Sequence, residues 1–296
     1  MTTVTVLDGG MGRELMRIGA PFRQPEWSAL ALTEGPQWVV QAHRNFIEAG
    51  AQVITPNSYA VVPFHIGDDR FRLEGGELAA LSGSLAREAV AMSPDVMVAG
   101  SLPPLFGSYR PDLFDAASAP AIIDPLVAGL SDHVDVWLGE TLSSIAEVAA
   151  VRAAIERNHG SARPLWISYY LHDQQQGVLA SGESVAHAVS AAIELGASAV
   201  MFNCCSAEAI SAAIPIAVSA AAGRAQVGAY ANRFATAHTG ARVANSRLSE
   251  FRDDLDPATY CSFVGQWLAA GATMVGGCCG MTPDHITAIS ELVASR

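Results

Sequence analysis

The chain has 296 residues, half of them hydrophobic, and a net charge of −12, which is enough polypeptide for one large α/β domain or two small ones. All 17 basic residues are arginine; the absence of lysine excludes Schiff-base lysine chemistry and the phosphate-cradling P-loop, and the acidity argues against nucleic acid and anionic membrane as partners. The uncharged apolar run 209–223 is interrupted by Pro215 and reads as a buried helix, not a membrane span.

No basic-then-apolar leader pattern opens the sequence. The five cysteines are odd in number and include adjacent neighbours, unlike a secreted disulfide framework. The expectation is a soluble cytoplasmic protein with reduced thiols.

Taken in order, the chain repeats one pattern: a short β-branched run, a loop rich in Gly, Pro, Asn or Ser, then an amphipathic segment. The runs are 4–7, 52–55, 96–100, 134–138, 165–169, 199–202, 226–229 and 273–276. Helices are predicted over 37–49, 77–91, 141–158, 183–195, 207–222 and 257–270 from apolar residues at three-to-four spacing. A weaker helix around 121–130 carries Pro125, and the last begins at Thr282-Pro283-Asp284-His285, where Thr282 suits an N-cap and Pro283 the first turn. Alternating strand and helix predicts a parallel sheet. Eight repeats in this length fit a single-domain α/β (β/α)8 TIM barrel over 1–296, with an open doubly wound sheet as the alternative.

A barrel collects its chemistry at the C-terminal ends of the strands. Those ends read Asp8-Gly9-Gly10-Met11-Gly12, Thr55-Pro56-Asn57-Ser58-Tyr59, Gly139-Glu140-Thr141, Asn203-Cys204-Cys205, Tyr230-Ala231-Asn232 and Gly276-Gly277-Cys278-Cys279-Gly280. A bridge between Cys278 and Cys279 is disfavoured, because adjacent Cα atoms lie about 3.8 Å apart and a relaxed disulfide wants about 4.4–6.8 Å. Glycine on both sides lets the backbone leave the strand path, so that both sulfurs turn toward one point. The ends of the sixth and eighth strands are on the order of 10 Å apart, a gap that inward cysteines close onto one ion at about 2.3 Å per sulfur. Cys204, Cys278 and Cys279 are therefore the expected three-thiolate zinc site, with the open fourth position of a catalytic rather than structural metal. Cys205 and Cys261 remain alternatives to Cys204, although the turn position favours Cys204. The histidines form no H-x-H or H-E-x-x-H pattern, and no G-x-S-x-G elbow or dinucleotide fingerprint is present. His65, His172 and His238 fall in expected loops.

With Asp8-Gly9-Gly10-Met11-Gly12-Arg13-Glu14-Leu15, Asn203-Cys204 and Gly276-Gly277-Cys278-Cys279-Gly280 followed by Thr282-Pro283-Asp284-His285-Ile286, the chain resembles the zinc-dependent homocysteine S-methyltransferase family. That family includes betaine- and S-methylmethionine-dependent enzymes and the homocysteine-binding module of cobalamin-dependent methionine synthase. The resemblance runs over essentially the whole chain. It implies a (β/α)8 barrel in which Cys204, Cys278 and Cys279 hold Zn(2+), Asp8 and Glu140 hold the α-ammonium of homocysteine, and backbone at Gly9 and Gly10 receives its carboxylate. Asn57 and Tyr59 join them as candidate substrate contacts.

The implied reaction transfers a methyl group from an onium donor, S-methylmethionine or similar, to the homocysteine thiol, giving methionine. Both substrates are small molecules. Aromatic faces suit an onium cation, and Tyr59, Phe64, Phe106, Tyr109 and Trp137 lie in or near strand-end loops. Departures from the usual pattern at 139–143, at 230–234 and at Cys205 leave the donor open. The rival readings are a zinc-thiolate barrel that methylates another thiol or a selenol, and a non-catalytic zinc protein that senses oxidants.

Overall fold

The β-branched runs become strands and their glycine-flanked ends become turns. The computed structural model describes residues 3–24, 26–172, 174–235 and 250–296. Strands β1 Thr5–Val6, β2 Val53–Ile54, β3 Met97–Leu102, β4 Val136–Leu142, β5 Leu165–Tyr169, β6 Ala197–Asn203, β7 Gln226–Tyr230 and β8 Met274–Val275 pair in parallel, in the order β1-β8-β7-β6-β5-β4-β3-β2. A parallel bridge from Leu7 to Val53 joins β1 to β2 and closes the ring. Each strand is followed by a helix: α1 Pro36–Glu48, α2 Asp68–Val90, α3 Ala119–Leu130, α4 Ile145–Arg157, α5 Val185–Glu194, α6 Ala207–Ala221, α7 Pro257–Ala269 and α8 Pro283–Ala294. This is the (β/α)8 barrel that the alternation implies.

Three differences from the sequence pattern have local causes. Helix α2 starts well before 77, because Asp68 and Asp69 occupy its first turn, where carboxylates favour the positive end of the helix dipole. Helix α4 starts at Ile145, not 141, because β4 runs on to Leu142, which pairs with Tyr169 after a register shift beyond Gly139. Ser144 then caps the helix by accepting from Glu147 N. Between β1 and α1 the chain also forms short helices, Met11–Arg17 and Leu30–Glu34, too brief for periodicity to announce. The Thr282 start of α8 is a capping box, Thr282 bonding the backbone of His285 and the His285 ring reaching back to Thr282 N.

The core has two shells. The larger lies between the strands and the helices. The smaller fills the barrel with Leu7, Val53, Ala99, Val136, Leu138, Trp166, Ala199, Met201, Tyr230 and Met274, so that every strand or its edge contributes and the interior is packed rather than hollow. Side chains alternate along a strand with period two. The inward register of Val136 and Leu138 therefore continues to Glu140, that of Ala99 to Ser101, that of Trp166 to Ser168 and that of Met201 to Asn203. The barrel is apolar at mid-height and polar at its C-terminal mouth. Among the described residues no helix is long and apolar enough to cross a membrane.

Helices α2 and α3 approach most closely at glycine. A Cβ built on Gly129 would lie 2.3 Å from the Gly76 carbonyl oxygen and 3.0 Å from Ala80 N, backbone atoms that cannot move without shifting a helix. Gly129→Ala is expected to cost about 1–3 kcal/mol through overpacking, read as a lower urea midpoint with unchanged slope.

Candidate metal centre

Cys204 lies one residue beyond β6 and adopts φ 55°, a left-handed conformation that costs a side-chain-bearing residue energy and persists where surrounding contacts hold it. Those contacts come from Asn232 at the end of β7. Its Nδ2 donates to the Cys204 carbonyl, and its backbone N donates to Cys205 O at 3.0 Å. The second cysteine turn is tied to the same strand, by Cys278 N to Ala231 O at 2.9 Å and Arg233 N to Cys279 O at 2.8 Å. Glycine is required there: a Cβ on Gly277 would meet Met281 Cβ at 2.3 Å, and Gly280 has φ +87°. Strand β7 thus acts as the spacer that sets the β6 turn against the β8 turn.

The result is a cluster in which the sulfurs of Cys204, Cys278 and Cys279 all lie within 4.8 Å of one another. Cys204 Sγ is 2.9 Å from Cys278 Sγ and 3.8 Å from Cys279 Sγ, and all are free thiols. A tetrahedral ion with sulfur at about 2.3 Å separates its sulfurs by about 3.8 Å. One edge already has that length, and the other needs about 1 Å of opening. The Cys204 sulfur and burial push the Cys278 thiol well above its ordinary range, Cys279 acting the other way. Three thiolates cannot coexist here without a cation, and soft sulfur donors with no further protein ligand among the described residues match a metal ion of the zinc or copper(I) type. Two groups hydrogen-bond the cluster: Tyr109 OH to Cys204 Sγ at 3.4 Å and Asn203 Nδ2 to Cys278 Sγ at 3.8 Å. Asn203 is fixed in turn by Ser168 Oγ, Thr141 N and Thr141 Oγ1.

The cluster opens into a cavity of about 110 Å³ that Asp8, Gly9, Gly10, Asn57, Tyr59 and Glu140 also line. Asp8 accepts from Thr55 N at 2.8 Å. Burial pushes its pKa up to about 8, with Thr55 opposing and Glu140 adding to the rise. Glu140 is raised by burial too, against hydrogen bonds from Ser101 and Tyr230; Ser101 Oγ donates at 2.6 Å. Two buried carboxyl groups that repel each other form a receptor for a cation.

The other candidates sort as follows. Gly10 N donates to Met281 O at 3.1 Å, and both Gly9 and Gly10 line the cavity. Asn57 Nδ2 donates to Ser28 O at 2.8 Å, which braces the turn carrying Trp27. Tyr59 OH shares a hydrogen bond with Ser108 at 2.8 Å. Of the five aromatics expected near the strand ends, Tyr59 and Tyr109 reach the cavity. Trp137 is fully buried and donates to Gly160 O, and Phe64 and Phe106 pack on the outer core. Cys205 turns away from the sulfur cluster, bonded by Leu171 N and to Asn203 O, and Cys261 is half-buried in α7. His65 is buried in a short helix, Pro63–Ile66, the His172 ring accepts from Gln174 N and Gln175 N, and His238 lies outside the described residues.

The family model described as homocysteine S-methyltransferase matches residues 5–293. The chain belongs to that family. Among its relatives, the homocysteine S-methyltransferase of Escherichia coli (strain K12) is 28% identical, over 97% of this chain and 94% of its own. The selenocysteine methyltransferase of Astragalus bisulcatus is 28% identical, over 98% and 92%. The metallated form of the homocysteine methyltransferase MmuM from Escherichia coli superposes with a TM-score of 0.80 at 25% identity, covering 98% of this chain and 96% of that one.

Several residues at the mouth of this family member escape a sequence reading. Arg13 and Trp27 line the cavity, one from a helix too short to detect and the other from a turn with φ 52°. Asn232 acts on the backbone carbonyls of Cys204 and Cys205, and no pattern of residue types signals that. The period-two register of β6 was the available signal for Asn203.

Asp8 yields a test with a definite sign. Its folded pKa of about 8 exceeds the ordinary 3.8, so the fold favours the protonated form. Its contribution is therefore whole below about pH 4 and declines as pH rises toward 8. Asp8→Asn is expected to remove that decline and raise stability at pH 8 by a few kcal/mol, on the order of the pKa shift. Urea denaturation of both proteins at pH 5 and pH 8 measures the difference.

Proposed function

We propose that the protein is a zinc-dependent methyltransferase that moves a methyl group from a free onium donor to the thiol of homocysteine, giving methionine. The whole chain, 1–296, serves as one catalytic barrel domain in the cytoplasm. The observation that carries this reading is the meeting, in one cavity, of three sulfurs from the β6 and β8 ends with the carboxyl pair of Asp8 and Glu140. An amino-acid thiol needs both: a soft site for sulfur and a carboxylate site for ammonium.

Bound zinc would supply a Lewis acid that holds the incoming thiol as thiolate at neutral pH. The residues around it do the rest. Asp8 and Glu140 ionise as they receive the ammonium, and Thr55, Ser101 and Tyr230 hold their oxygens in place. The hydrogen bonds of Tyr109 and Asn203 to the ligand sulfurs spread charge away from Cys204 and Cys278 and orient both side chains. Tyr59, Tyr109 and Trp27 offer ring faces to an onium cation. Transfer makes one S–CH3 bond and breaks the donor's bond to the same carbon, the donor leaving with the electron pair as a neutral sulfide or amine. No proton moves at the reacting carbon, so no general base is needed. Charge is annihilated along the path, and the apolar walls favour that.

A selenol acceptor suits the same soft site, and the similarity to a selenocysteine methyltransferase favours testing it. Competition between selenocysteine and homocysteine for the enzyme separates the two acceptors.

Wild type is expected to carry about one zinc per chain. Cys204→Ser, Cys278→Ser and Cys279→Ser are each expected to lose most of the metal, with methionine formation down at least about 100-fold, as for loss of a transition-state interaction. S-methylmethionine, betaine, S-adenosylmethionine and dimethylsulfoniopropionate are the donors to supply. No methionine from any of them, with zinc bound, overturns the reading.

A further inference from the structure

The mouth of the barrel is electrically divided. The carboxyl groups of Asp8 and Glu140 and the guanidinium-bearing Arg13 line one cavity. Arg13 comes from the first turn of the short helix Met11–Arg17. Its guanidinium lies 4.5 Å from the Phe251 ring centroid and 5.7 Å from that of Trp27. Two aromatic rings thus hold the group against the cavity wall and remove part of its hydration.

A fixed guanidinium is a poor neighbour for an onium donor. Both are cations, and the repulsion grows as water leaves the cavity. The conflict disappears if the donor carries its own anion at the far end, because a guanidinium binds a carboxylate through two parallel hydrogen bonds. Homocysteine also has a carboxylate, but it is attached to the carbon that bears the ammonium. The resemblance gives that carboxylate to backbone at Gly9 and Gly10, beside Asp8. The Arg13 guanidinium is then left to the second substrate.

We propose that Arg13 is the donor-selecting residue of this site: it anchors the carboxylate of a zwitterionic onium donor and rejects donors that are cations only. This rests on the methyl-transfer reading above. The onium centre then lies between the Arg13 anchor and the ligand sulfurs, with its methyl group toward the acceptor thiolate. Trp27 does two jobs here, walling the cavity and fixing the guanidinium.

The test compares wild type, Arg13→Gln and Arg13→Lys, all zinc-loaded, with dimethylsulfoniopropionate and with trimethylsulfonium, a sulfonium that lacks a carboxylate. Arg13→Gln is expected to raise KM for dimethylsulfoniopropionate about 10- to 100-fold, the range for losing a charge-assisted bidentate contact. Arg13→Lys should fall between the two. Trimethylsulfonium should gain on the zwitterion in Arg13→Gln, because the repelling charge is gone. Homocysteine affinity by calorimetric titration should stay within about twofold of wild type.

An unchanged KM for dimethylsulfoniopropionate, or an equal loss of homocysteine affinity, overturns the assignment while leaving methyl transfer intact. A zinc-loaded wild type that fails to methylate homocysteine with every onium donor supplied overturns the methyl-transfer reading and the role of Arg13 together.

Discussion

Everything at the mouth of this barrel depends on three sulfur atoms being held closer together than uncompensated thiolates tolerate. The cost of that arrangement is met by backbone, not by charge. Strand β7 lies between the two cysteine-bearing strands, and the residues just beyond it, Ala231, Asn232 and Arg233, bond both cysteine turns. The fold therefore presents a preformed site, and a metal ion gains its full coordination energy without first ordering its ligands. The left-handed backbone at Cys204 fits this picture: local strain persists where several neighbours over-determine the geometry.

The same opposition between function and stability appears in the carboxyl pair. Burial raises the proton affinity of both Asp8 and Glu140, and Glu140 raises that of Asp8 further. A fold selected for stability alone would replace one of them with a neutral residue. On the methyl-transfer reading proposed above, an entering ammonium group offsets that cost, because each carboxyl then regains its charge beside a partner, and the cavity selects thiols that carry the cation.

The architecture was legible because it is written in periodicity. Eight β-branched runs, each ending in glycine or polar residues, forecast eight strands within a few residues of where they lie. The cysteines were legible for a related reason: residues at strand ends inherit a known place in a barrel. Errors arose where backbone departs from period. The register shift after Gly139 carries β4 into what looked like helix. The Met11–Arg17 helix holds two turns at most, below what periodicity resolves, and so the cavity side of Arg13 was not visible. The bond from Gly10 N to Met281 O was hidden for another reason, since the two residues come from opposite ends of the chain. Among the aromatics, Trp137 was misplaced because its strand alternates and position 137 faces the helices, whereas 138 faces the barrel.

That alternation also explains how one strand serves both core and chemistry. Along β6, Ala199 and Met201 pack the interior and the next inward position is Asn203, which bonds Cys278 and is itself held by Ser168 and Thr141. Along β4 the sequence Val136, Leu138, Glu140 makes the same transition. Each side chain at the mouth thus stands on an apolar layer too well packed to let it tilt. The layer needs only apolar residues of about the right volume, which is why a barrel can match MmuM with a TM-score of 0.80 at 25% identity. The mouth has no such freedom. Its residues must meet in charge and distance, so donor and acceptor preference can change at single positions such as Arg13 while the strands beneath remain in place.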